Sequence, residues 1–256
     1  MKKIAILNQK GGVGKSAISV NLSYALTAFK KQTILIDLDP QGNSSGIYYS
    51  EVTKEESVSE LFRDKKYDIS KLIRPAMDQN GQLIEGLNVV PSNIHLAVTS
   101  ESVIAWPHRE KILFNHLKRV DGKCDFILID CPPSLGILSL NAIFAADSFI
   151  IPINYDKFSL DGLADLFDIL AEVRETDIFD FRIIRSIKDV RSTRTNKPIE
   201  KALEGYKENL FETSIRRAEV VNQALMERAS VFTYSPSHPV CNEFKALAME
   251  VIEYVE

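Results

Sequence analysis

The feature that most narrows the folds open to this chain is a glycine loop set between a strand and a helix near its start. KIAILN, residues 3–8, is an apolar, β-prone run, and NQKGGVGKS, residues 8–16, follows it. The segment ISVNLSYALTAF, 18–29, then carries Ile18, Leu22, Ala25, Leu26 and Phe29 at helical spacing. A strand that turns through glycines into a helix aims backbone N–H groups and the helix's positive end at one point, which suits a phosphate. The loop fits the pattern G-x-x-x-x-G-K-[ST] at Gly14, Lys15 and Ser16, but its first position falls on Gln9 and a second lysine, Lys10, precedes the glycine pair. Residues Lys10, Gly11, Gly12, Val13, Gly14, Lys15, Ser16 and Ala17 are therefore the expected nucleotide-binding set. Lys15 is expected to reach the β and γ phosphates, and the Ser16 hydroxyl to ligate magnesium.

The rest of the chain continues the alternation that builds a parallel sheet. Apolar runs at 32–37, 87–92, 124–130, 148–153 and 181–187 read as further strands, and helices are expected near 57–63, 93–105, 108–119, 158–175, 196–209, 217–228 and 240–255. With 256 residues, 45% hydrophobic and 26% charged, one domain spanning 1–256 is expected. Its fold class is α/β: a single doubly wound, mostly parallel sheet flanked by helices, of the P-loop NTPase type. The apolar run at the start is too short for a signal peptide or a membrane span, which points to the cytoplasm. Cys124, Cys131 and Cys241 are too few and too scattered for a disulfide framework or a C-x-x-C metal site.

Two further strands end in acids. In LIDLDPQGN, Asp37 closes the strand and Asp39 stands on the loop beyond it; in FILIDCPPS, Asp130 closes its strand before Pro132 and Pro133. Magnesium keeps several waters and needs only one or two carboxylates beside phosphate oxygens, so Ser16, Asp39 and Asp130 are the candidate metal residues. Asp39 also suits the orienting of an attacking water.

KGGVGKS, DLDPQGN and IDCPPSLG, in this order and spacing, resemble the deviant Walker ATPases and, within them, the ParA partition ATPases. The likeness extends to INYDKFSLDGL (153–163), IKDVRSTRTN (187–196) and TSIRRAEVVNQAL (213–225), nearly the whole chain. The resemblance implies that Lys10 is the signature lysine of the family, reaching across an ATP-sandwiched homodimer to the partner's phosphates. Lys10, Lys15 and Asp39 then form the catalytic set, with ATP and Mg2+ as cofactors. A cation delivered from a second subunit couples hydrolysis to assembly in the manner of an arginine finger. The resemblance further implies nonspecific DNA binding on the nucleoid and a ParB-like centromere-binding adaptor that stimulates hydrolysis. The chain starts at its first strand, as in the short members without an N-terminal helix-turn-helix, so binding to a specific operator is not expected.

From Arg182 to Lys201, seven basic residues stand against two acids, a local charge of about +5 in a chain whose total is −4. Arg191 occupies the place of a DNA-contacting arginine in the family, and Arg194, Arg216 and Arg217 complete the candidate DNA set. Here the chain departs from the usual I-P-R-N-x-R-L-S-E-A-like run: Arg216 replaces proline and Val220 replaces the second arginine. Arg182 and Arg185 also stand in a strand where apolar residues are usual, and a buried arginine requires a partner. Two rival readings remain. A ParA-like ATPase could position a protein cargo, because cargo is specified by the adaptor; a MinD-like ATPase would sit on a membrane through a basic C-terminal helix. The C-terminal FKALAMEVIEYVE carries more glutamate than lysine, which anionic lipid repels, so no membrane partner is expected.

Overall fold

The computed structural model describes residues 1–120, 122, 124–155, 158–189 and 193–255, with the backbone alone described for 158–161 and 193–195. In chain order the strands are β1 (Lys2–Ile6), β2 (Thr33–Asp37), β3 (Arg74–Met77), β4 (Leu83–Val90), β5 (Phe126–Asp130), β6 (Ser148–Asn154), β7 (Asp180–Lys188) and β8 (Leu210–Arg216). The helices are α1 (Lys15–Ala28), α2 (Ser45–Tyr48), α3 (Ser59–Arg63), α4 (His95–Ser102), α5 (Ile112–Leu117), α6 (Ile137–Ala145), α7 (Phe158–Arg174), α8 (Thr193–Leu203), α9 (Glu219–Met226), α10 (Val231–Tyr234) and α11 (Pro239–Val255).

The strands form one sheet in the order β3-β4-β2-β5-β1-β6-β7-β8, parallel throughout except for the antiparallel β3–β4 pair at one edge. The expected doubly wound architecture is present. Because side chains alternate across a strand, each central strand feeds two cores. Ala5, Ile34, Ile36, Ile127 and Ile129 point into one, together with residues of α3 to α8. Ile4, Ile6, Leu35, Phe126 and Leu128 point into the other, beneath α1 and α11. Burial of these β-branched and aliphatic chains is the main favourable contribution to folding.

Five elements lie outside the sequence expectations: the edge strands β3 and β8, the one-turn helices α2 and α10, and α6. β3 reads RPAM, with a proline and two exposed side chains; only at an edge can such a segment pair. α6 is apolar almost all round, so it lacks the periodic stripe that marks a surface helix. Helix α8 starts earlier than expected and ends at Leu203, after which residues 204–209 continue as 3-10 turns.

Parallel registry determines where chemistry can occur. Ile6 lies opposite Asp130, and Asp130 opposite Asp37, so β1, β5 and β2 end level with one another. The loops that follow them converge at the carboxyl edge of the sheet, where ligands of such folds bind.

Candidate nucleotide site

The loop from Asn8 to Lys15 is held from below by two strands. The Asn8 side-chain amide donates to the carbonyl of Pro152 at 2.8 Å, while its oxygen accepts the Lys10 N–H at 2.9 Å. Ser186, at the end of β7, donates its hydroxyl to the Val13 carbonyl at 2.6 Å. Gly12 and Gly14 take φ of +73° and +90°, and Gly14 caps the start of α1. A Cβ on Gly12 would meet nothing within 4 Å, so it is the left-handed backbone, not crowding, that calls for glycine there. Val13 turns its side chain into the core.

Lys15 is nearly buried and its ammonium donates to the Lys10 carbonyl at 3.0 Å, folding the loop around a cationic centre. Burial lowers the pKa of this ammonium, and the nearby Asp130 carboxylate opposes that shift. Lys10 precedes the cavity wall, which begins at Gly11 and runs through Gly12, Gly14, Lys15, Ser16 and Ala17. The cavity encloses about 680 Å3, and Asp39, Asn43 and Pro133 line it beside the loop. Cavities of this size hold ligands of nucleotide dimensions.

The acids divide into two kinds. Asp39 faces the cavity and accepts the Gln41 N–H at 2.9 Å. Asp37 and Asp130 are completely buried and spent on hydrogen bonds. Asp130 accepts from Ser19 at 3.0 Å and Ser44 at 2.6 Å, and Ser16 also bonds to it. Burial pushes the Asp130 carboxyl pKa up against the pull of these hydroxyls. Asp37 accepts the N–H of Asp39, 2.9 Å, and both the N–H and hydroxyl of Ser45, 2.9 and 2.7 Å. Burial, with the Asp130 carboxylate alongside, raises its pKa to about 7.

Among the described residues, no cluster of three or more His, Cys, Asp or Glu side chains is placed to hold a metal by itself. That suits magnesium bound through a nucleotide, because such an ion brings phosphate and water ligands of its own. Ser16 brings a hydroxyl to the cavity wall and Asp39 a carboxylate. Asp130 lies behind Ser16, so its reach to a cation is through that hydroxyl. Ser19, Ser44, Ser45 and Ser186 belong to this site and escaped the motif reading; a serine carries no motif weight until a buried carboxylate or carbonyl is seen opposite it.

A sequence-family model described as an AAA domain matches residues 1–183. The chain is 33% identical over 254 residues to the sporulation initiation inhibitor protein Soj of Bacillus subtilis, covering 98% of each chain. It is 30% identical over 255 residues to the chromosome partitioning protein ParA of Myxococcus xanthus, covering 98% of this chain and 87% of the relative. The chain belongs to the ParA/MinD family of ATPases. Its fold matches, at a TM-score of 0.80 and 23% identity, that of cobyrinic acid a,c-diamide synthase from Mycobacterium smegmatis, solved with a bound ATP analogue and magnesium. The match covers 100% of this chain and 96% of the synthase.

Within this ParA/MinD-type chain, the basic segment is less available than its charge suggests. The Arg182 guanidinium lies 4.1 Å from the ring centroid of Tyr254. Arg185 donates to the carbonyls of Phe211 and Glu212, both at 2.7 Å, and stands 3.6 Å from Glu200. Lys188 pairs with the same Glu200 at 2.8 Å. These contacts give the arginines in β7 their partners: Arg182 ties the strand to α11, and Arg185 ties it to the edge strand β8 and to α8. Arg191 falls outside the described residues, and of Arg194 only the backbone in α8 is described. Arg216 is bound through its Nε and its N–H by Glu243. Arg217 is exposed, with its N–H on the Lys188 carbonyl at 2.9 Å. Both border the cavity of the phosphate loop, as do Ile187, Ile215, Ala218, Val221, Asn222 and Leu225. The segment read as a DNA surface thus also walls the nucleotide cavity.

Proposed function

We infer that this ParA/MinD-type ATPase binds and hydrolyses ATP with Mg2+ and works as a partition switch for plasmid or chromosomal DNA. The observation that carries the reading is one cavity wall shared by the glycine loop with Lys15, the carboxylate Asp39, and Arg216–Arg217. A nucleotide there touches the hydrolytic residues and the basic segment at once. The relative from Myxococcus xanthus named as a chromosome partitioning protein supports the same reading.

Gly11, Gly12 and Gly14 present backbone N–H groups to the phosphates, and Lys15 supplies the fixed positive charge that phosphoryl transfer requires. Ser16 would hold magnesium, which when bound would neutralise phosphate charge and so open the γ-phosphate to attack. Asp39 orients the water. Lys10, anchored by its own N–H and carbonyl at the loop entrance, reaches the nucleotide of a second copy, so that hydrolysis waits for the ATP-bound homodimer. That dimer binds nonspecific DNA through Arg191, Arg194, Arg216 and Arg217, and a ParB-like adaptor stimulates the otherwise weak hydrolysis that releases it. This places the protein in the cytoplasm, on the nucleoid. The C-terminal helix α11 buries Val240, Phe244, Leu247, Ala248 and Val251 in the core, which leaves its apolar face no membrane to seek. No helix of the described residues is long and apolar enough to cross one.

The test is fluorescence anisotropy of a random-sequence duplex titrated with protein in ATP and magnesium, in ADP, and without nucleotide, at two salt concentrations. Binding confined to ATP and weakened by salt, as counterion release demands, is the expected result. Equal binding in all three states, or none, refutes the DNA switch.

A further inference from the structure

We propose that Asp37 and Ser45 are positioning residues that hold the catalytic carboxylate of Asp39, a role that rests on the hydrolytic reading above. Asp37 closes a strand, and an acid in that place ordinarily serves its own backbone turn or faces solvent. Here it is fully buried, and each bond it accepts comes from the loop that carries Asp39. One oxygen takes the N–H of Asp39 itself; the other takes the N–H and the hydroxyl of Ser45, so that the two ends of the loop are gathered onto a single carboxylate.

Ser45 then passes the restraint on. Its hydroxyl oxygen accepts the N–H of Ser92 at 2.8 Å, in the segment after β4. The preceding residue, Ser44, grips Asp130 on the other neighbouring strand. Adjacent serines therefore staple the loop to β2 and β5, and through Ser92 to the end of β4. The loop also lies flush on that segment: a Cβ on Gly42, whose φ is +64°, would come within 3.1 Å of the Ser92 carbonyl oxygen. Inside the loop, the Gly42 N–H bonds back to the Asp39 carbonyl at 2.9 Å. Asp39 is left with its backbone immobilised at both ends and its carboxylate on the cavity. A carboxylate that must orient water gains from such fixation, since a shift of about 1 Å in a reacting group costs on the order of a hundredfold in rate.

The experiment compares Ser45→Ala, Asp37→Asn and Asp39→Ala with the wild type by ATP turnover, by affinity for a fluorescent ATP analogue with magnesium, and by thermal melting. In Ser45→Ala a roughly ten- to hundredfold fall in kcat, with analogue affinity within about twofold of wild type, is the signature of lost positioning. Asp37→Asn, which presents an amide nitrogen to Ser45, should behave alike; should it not fold, Ser45→Ala, which removes a single oxygen, carries the test alone. Wild-type turnover in a folded Ser45→Ala overturns the proposal, as does a parallel loss of affinity and turnover, which marks general damage to the site. An inactive wild type, or an Asp39→Ala that turns over normally, would instead refute the hydrolytic role of Asp39 and take the proposal with it. The two failures are thus told apart by the wild type and Asp39→Ala alone.

Discussion

Glu200 is the residue at which the basic segment can be tested most directly. It stands in α8 and accepts the Tyr155 hydroxyl at 2.5 Å and the Lys188 ammonium at 2.8 Å, with Arg185 at 3.6 Å. Side-chain exposures are 35% for Glu200, 25% for Lys188 and 17% for Arg185, so the cluster is neither sealed nor free in water. A buried hydrogen bond to a charged group is worth about 1.5–3 kcal/mol, and an exposed ion pair about 0.2–1 kcal/mol. At one-third exposure the two close bonds contribute about 1 kcal/mol each, and the longer contact to Arg185 less. Glu200→Ala should therefore destabilise by about 2 kcal/mol, a fall in Tm of about 4–8 °C for a chain of this length. The sign with pH follows. Burial alone would raise the Glu200 pKa, but the bonds from Lys188 and Tyr155 outweigh it and hold the carboxyl below its usual value. Its contribution is complete above the unfolded pKa of about 4.3 and disappears as pH falls through the lower folded value. Calorimetry at neutral pH and in acid, on the wild type and Glu200→Ala, measures both. A Tm shift within about 1 °C at neutral pH would refute the hub.

Gly12→Ala and Gly42→Ala form a graded pair. At Gly12 the added methyl group has open space, so only the left-handed backbone costs, about 1 kcal/mol; at Gly42 the Ser92 carbonyl is also in the way, and melting should show the larger loss there. His116 is buried between the carbonyls of Leu61 and Tyr67 at 3.0 and 3.1 Å. Burial lowers its pKa, so its contribution is full above the unfolded value of about 6.5 and is lost as pH falls through the folded one; stability curves of His116→Gln should lack that slope. For DNA, Arg217→Ala should weaken ATP-dependent duplex binding and reduce the salt slope by about 0.9, whereas Arg182→Ala should leave binding unchanged because that guanidinium is spent on Tyr254. Anisotropy at several salt concentrations separates the two.

The central strands were legible because each is a short, nearly continuous β-branched run, which a parallel sheet covered on both faces requires. The edges were not. β3 contains Pro75, and β8 carries Glu212 and Arg216 among its apolar residues, so neither shows the buried pattern that made its neighbours plain. At the site, Lys15, Ser16 and Asp39 could be placed by local spacing, since a loop and the strand before it are contiguous. Ser19, Ser45 and Ser186 could not: Ser19 meets Asp130 across 111 positions, and Ser186 meets Val13 across 173. The charge of the 182–201 segment was readable, but its destination was not. Which arginines turn inward depends on partners such as Glu200, Tyr254 and the Phe211 carbonyl, which only tertiary packing supplies.

Ile187 has a different consequence. It is a β-branched residue held at φ +54°, a backbone region costly for such a side chain, and its Cδ1 would lie 3.9 Å from a methyl group on Gly14. Strand β7 thus ends in a bent spring beneath the third glycine of the phosphate loop. Selection for heat resistance would favour Ile187→Gly, which relaxes the spring, yet the same change removes the floor on which that glycine turns. Stabilised variants recovered without regard to activity should therefore be enriched at position 187, and poor at turnover.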